Sequence, residues 1–124
     1  MSGTRPEILL RLTEAAFEAA RGRLGRLRTR EAELTRAIAA LDRPGSVPGE
    51  VDPARRAGAD LLWEAWADGR RRALTVELAR LRVEIEAAAL ALRPAFGRRE
   101  AAHRMFEEAR KAKTREMRRR AERP

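Results

Sequence analysis

"LRLTEAAFEAARGRLGRLRTREAELTRAIAAL", residues 10–41, decides the fold. Counting in alternating steps of three and four from its first residue gives Leu10, Thr13, Phe17, Ala20, Leu24, Leu27, Glu31, Leu34, Ile38 and Leu41. Seven of these ten are large and apolar, and Thr13 and Glu31 are the polar exceptions. A stripe with a mean spacing of 3.5 residues is the seam of one helix that packs along another. Gly22 and Gly25 lie within the stretch. Each costs a helix about 1 kcal/mol relative to alanine, and either tolerated drift or a close helix approach accounts for them equally well.

The flanks punctuate this helix. Upstream, Ser2 or Thr4 is placed to cap it, Pro6 suits the first turn, and Glu7 suits the positive end of the helix dipole. Downstream, "DRPGSVPGEVDP" at 42–53 packs three prolines and two glycines into twelve residues, which no helix continues through. Asp52 and Pro53 then supply a second cap and first-turn proline.

A second seam reads Leu74, Leu78, Leu81, Ile85, Ala88 and Leu92. Upstream of it the phase slips, and Trp63 and Trp66 join through Arg70 with an extra four-residue step. Downstream the count runs Phe96, Arg99, His103, Phe106, Arg110, Lys113 and Met117. Two long seams joined by a short connection predict an all-α, antiparallel two-helix coiled-coil hairpin. The elements read as helix 6–41, loop 42–53, helix 54–93, a kink at Pro94 to Gly97, and a basic helix 98–122, in a single domain. Folding about the loop centre pairs position i with about 95 − i, so Leu10 faces Ile85, Phe17 faces Leu78 and the start of helix one faces Pro94. The residues beyond Pro94 are then expected to overhang the hairpin without an internal mate. The alternative architecture is a three-helix bundle, in which Ala102, Met105, Phe106, Ala109 and Met117 face inward.

Composition agrees with long helices. Of 124 residues, 44% are hydrophobic, mostly alanine and leucine, 38% are charged and only 4% aromatic, too few β-branched and aromatic side chains for a sheet. There is no cysteine, so neither a disulfide framework nor a thiolate site is available. No apolar run approaches a membrane span, and "ILLRL" at 8–12 is interrupted by charge, so a cytoplasmic chain is expected. Catalysis is not expected: His103 is the only histidine and sits in a basic helix, and there is no glycine-rich phosphate loop or metal-ligating cluster. No cofactor is implied.

The net charge of +9 points to acidic partners, and residues 94–124 carry eleven basic and five acidic side chains, a net +6. Nucleic-acid binding fits that charge, but the segment lacks a stacking platform beyond Phe96 and Phe106. Docking on an acidic protein surface fits the alternation of Arg, Glu and Ala better. In "ADLLWEAWADGRRR", 59–72, Trp66 is placed near the seam; Trp63 and Leu62 form an outward patch bordered by Arg70, Arg71 and Arg72, a second candidate contact.

An antiparallel hairpin with a proline- and glycine-rich elbow and the C-terminal stretch "LRVEIEAAALALRPAFGRREAAHRMFEEARKAKTREMRRR", 81–120, resembles the central-stalk proteins of flagellar and type III secretion export, the FliJ and YscO type. The acidic, glutamine-rich end common in flagellar members is absent. The resemblance implies a non-enzymatic adaptor whose open helical end sits in the pore of a hexameric export ATPase and promotes ring assembly. It also implies contact with the membrane export gate and with export chaperones, hence a location at the cytoplasmic side of that apparatus. Carried onto this chain, Arg98, Arg99, Arg110, Lys111, Lys113, Arg115 and Arg118 would face the ATPase pore, and Trp63, Trp66 and Arg70 to Arg72 would serve the second contact. The competing expectations are a nucleic-acid-associated basic helical protein and a coiled-coil scaffold that self-associates through its tail.

Overall fold

A computed structural model describes residues 3–42 and 52–124; most of the expected loop lies outside the described residues. The chain is a helical hairpin of two elements, α1 (Arg5–Ala40) and α2 (Pro53–Glu122). Both starts follow the sequence signals. The Thr4 hydroxyl accepts the Glu7 amide at 3.4 Å while the Glu7 carboxylate accepts the Thr4 amide at 3.3 Å, a reciprocal capping box. At α2 the Asp52 carbonyl accepts the first helical bond from the Arg56 amide at 2.9 Å, with Pro53 at the position where its missing N–H costs nothing. Pro94 lies inside α2, and the helix continues through residues 94–97 to Glu122 as one element. Among the described residues no third helix folds back; residues 98–120 belong to α2.

The structure divides into two compact units, one of residues 26–86 and one of residues 1–25 with 87–124. Each is a pair of antiparallel helical segments.

In the 26–86 unit, Leu34, Leu74, Leu78 and Leu81 form the core, with Leu27, Ile38, Leu41 and Ile85 packed against it. Leu34 is the largest side chain that is essentially sealed, at 2% exposure. Burying a leucine of this kind stabilises by about 1.5–3 kcal/mol, so these four dominate the unit. Cross-helix ion pairs fix the register: Arg71 to Asp42 at 2.9 Å, Arg82 to Glu31 at 3.3 Å and Arg30 to Glu77 at 2.7 Å. The first two pairs have indices summing to 113, not 95. The Arg30 guanidinium is held above its ordinary pKa by its hydrogen bond to Glu77, then by that to Glu33.

In the unit of residues 1–25 and 87–124, the buried residues are Phe17, Leu24, Ala88, Ala95 and Ala102. Phe17 meets Phe96 with ring centroids 5.9 Å apart, again a pair summing to 113, and not Leu78. Every α1 seam position read from the sequence is buried or half-buried. Both polar exceptions are satisfied. The Thr13 hydroxyl donates to the carbonyls of Leu9 at 2.9 Å and Leu10 at 3.0 Å, and Glu31 accepts from Arg82.

On α2 the seam runs Ala67, Arg71, Leu74, Leu78, Leu81, Ile85, Ala88, Leu92, Ala95, Arg99, Ala102 and Phe106. This corrects three expectations. The upstream step passes through Ala67 and Arg71, so Trp66 and Arg70 are exposed; the downstream step passes through Ala95 and Ala102, so Phe96 and His103 are exposed. Residues 95–107 do have an internal mate in α1, and the first residue beyond the last half-buried side chain is Glu108, not Pro94.

Candidate partner-binding surfaces

Seventeen residues from Glu108 to Pro124 carry no buried or half-buried side chain. They hold eight basic and three acidic groups, net +5. Their helix persists because alanine, arginine, lysine and glutamate are strong helix formers and because ion pairs one turn apart brace it. Arg110 pairs with Glu107 at 3.0 Å and Arg120 with Glu116 at 3.4 Å. Arg119 and Arg120 in the last turn suit the negative end of the helix dipole.

Of the predicted tail residues, Arg110, Lys111, Arg115 and Arg118 share one face of the helix with Thr114. Lys111, Lys113, Arg115 and Arg118 make no ion pair among the described residues. Their charge is therefore not neutralised within the chain, and the face can meet a row of carboxylates or phosphates. Arg98 is exposed but lies within the paired part of α2. Arg99 is different: its guanidinium stacks 4.2 Å from the Phe17 ring centre and 5.3 Å from that of Phe96, and pairs with Glu100 at 3.6 Å. Half-buried at a seam position, it holds the packing of its own unit.

The tryptophans stack with ring centroids 5.1 Å apart and planes at 38°. Their roles are reversed from expectation: Trp63 is half-buried and Trp66 is exposed at 55%. Leu61 and Leu62 are also open to solvent, at 68% and 75%. Arg71 leaves the expected arginine triplet to join the packing, bonded to Asp42 at 2.9 Å and Asp68 at 2.8 Å. Arg70 and Arg72 are exposed and make no ion pair among the described residues.

One surface went unread. Arg5, Pro6, Ile8, Leu9 and Leu12 line an apolar groove with Met105. Its signal is plain in retrospect, since 5, 8, 9 and 12 recur on one helical face outside the seam. Among the described residues no cluster of three potential metal ligands occurs, and no helix is long and apolar enough to cross a membrane. No family model, curated protein or solved structure matches this chain.

Proposed function

We propose that the chain is a non-enzymatic helical adaptor whose cationic end inserts into an acidic cavity of a larger protein machine, in the manner of the central stalk of an export ATPase. One observation carries this reading: α2 continues beyond its last half-buried side chain as a fully exposed helix, residues 108–122, of net charge +4. A side-chain set with no core of its own and uncompensated Lys111, Lys113, Arg115 and Arg118 is a charged peg, about 22 Å long over the helical residues 108–122 at 1.5 Å per residue. Electrostatic complementarity of this kind speeds association and selects the partner. The exposed Leu61, Leu62 and Trp66 give the chain a second apolar contact surface for a gate or chaperone protein.

Stimulation of a cognate hexameric export ATPase tests the reading. Charge reversal at Lys111, Arg115 and Arg118 abolishes that stimulation while leaving helix content intact, because all three are exposed and make no ion pair among the described residues. Absence of any stimulation by the unaltered chain removes the stalk reading. The same cationic face supports a second reading, binding to nucleic acid. Salt titration separates them: micromolar binding to nucleic acid in physiological buffer that falls steeply with added salt favours the second.

A further inference from the structure

α2 carries a second stripe on the side away from α1. Stepping by four and three through the 26–86 unit gives Leu62, Trp66, Gly69, Ala73, Val76, Arg80 and Val83. All seven are exposed, with Leu62 at 75%, Val76 at 50% and Val83 at 68%. A side chain added at Gly69 would meet nothing within 4 Å. One charged residue in seven is low for a chain whose residues are 38% charged, and the sequence holds the same spacing through Leu90 to Ala101 without another charge. A helix with apolar seams on opposite faces is built to take a neighbour on each.

The charges beside this second seam identify the neighbour. Arg70 and Arg72 flank it on one side of Ala79, and Glu84 and Glu86 flank it on the other. None of the four makes an ion pair among the described residues. Turned end for end, the pattern is its own complement. We propose that a second copy of this chain packs antiparallel on the outer face of α2, with the twofold axis beside Ala79. Val83 then packs against Ala73 of the other copy, and Val76 against Arg80 and its aliphatic stem. Arg70 meets Glu84 and Arg72 meets Glu86, each pair occurring twice by symmetry. Glu77 meets its own copy near the axis, where each carboxylate already holds Arg30 at 2.7 Å.

Other alignments are poorer. A parallel, in-register pair sets Arg80 against Arg80. Sliding the antiparallel pair one heptad in one direction loses the Arg72–Glu86 contact; sliding it in the other sets Glu77 against Glu84 and Arg72 against Arg93. The proposal is independent of what the cationic tail binds.

Sedimentation velocity on the full chain up to about 0.1 mM shows a concentration-dependent dimer. Val83→Glu weakens it by at least about tenfold, or about 1.4 kcal/mol, with unchanged circular dichroism. Arg72→Glu also weakens it, and the double variant Arg72→Glu with Glu86→Arg restores it, because the swap re-forms both pairs. In this cysteine-free chain, Ala79→Cys cross-links to its own copy with a short bismaleimide and Arg118→Cys does not. A monomer at every concentration overturns the proposal. So does cross-linking through Arg118→Cys but not Ala79→Cys, which marks association by the tail, and so does a charge swap that fails to restore the dimer.

Discussion

The two compact units solve the same packing problem with different side chains. The 26–86 unit seals its seam with leucine, four of them forming one cluster around Leu34. The other unit places Ala88, Ala95 and Ala102 at equivalent seam positions and fills the remaining space with Phe17 under the guanidinium of Arg99. Leucine packing is non-directional and shared among many neighbours. A phenylalanine between alanines concentrates the energy in one ring and its stacking partners. The first arrangement spreads the effect of damage; the second localises it.

Paired truncations break this comparison most directly. Leu34→Ala lowers stability by about 4 kcal/mol, since it opens a cavity at a site with 2% exposure, and Phe17→Ala lowers it by about 3 kcal/mol. Denaturant titration gives the magnitudes. Hydrogen exchange gives the location: Leu34→Ala speeds exchange through the helical segments of 26–86, and Phe17→Ala speeds it around residues 10–24 and 88–102. Identical exchange patterns for the two variants would show that the units do not respond separately. Arg99→Ala comes next, at about 1 kcal/mol, through loss of the stack on Phe17 at 4.2 Å; Arg99→Met, which keeps the apolar stem, recovers part of it. The smallest effect has the opposite sign. Gly25→Ala adds a methyl group into open space and stabilises by about 0.5–1 kcal/mol, seen as a raised thermal midpoint.

The sequence disclosed the faces of the helices better than their alignment. All ten α1 seam positions were legible, including Thr13 and Glu31, because a 3.5-residue spacing leaves little freedom about which side turns inward. The errors on α2 share one cause. At both phase choices the larger apolar residue was favoured, Trp66 over Ala67 and Phe96 over Ala95, although the seam takes the alanine. At the second choice the reason is visible: Phe17 occupies the space, and a second large ring fits only at the rim, where Phe96 lies. The axial register was illegible for a different reason. A periodic seam slides by whole repeats at little cost, and the index sum of 113 rests on individual partners such as Asp42 with Arg71 and Phe17 with Phe96. Those pairs become meaningful only once the helices lie side by side. The unpaired tail was recognised from its charge, but its onset moved from Pro94 to Glu108 with the register.

Pro94 gains importance from its position inside a helix of seventy residues. Lacking an amide hydrogen, it leaves the Leu90 carbonyl without the donor that the ladder would supply. In helix–coil terms the rod has a missing rung, and propagation from one side cannot pass its full cooperativity to the other. Fraying that starts at the charged terminus first meets the packed turns at Phe106 and Ala102, and only beyond them the missing rung at Pro94.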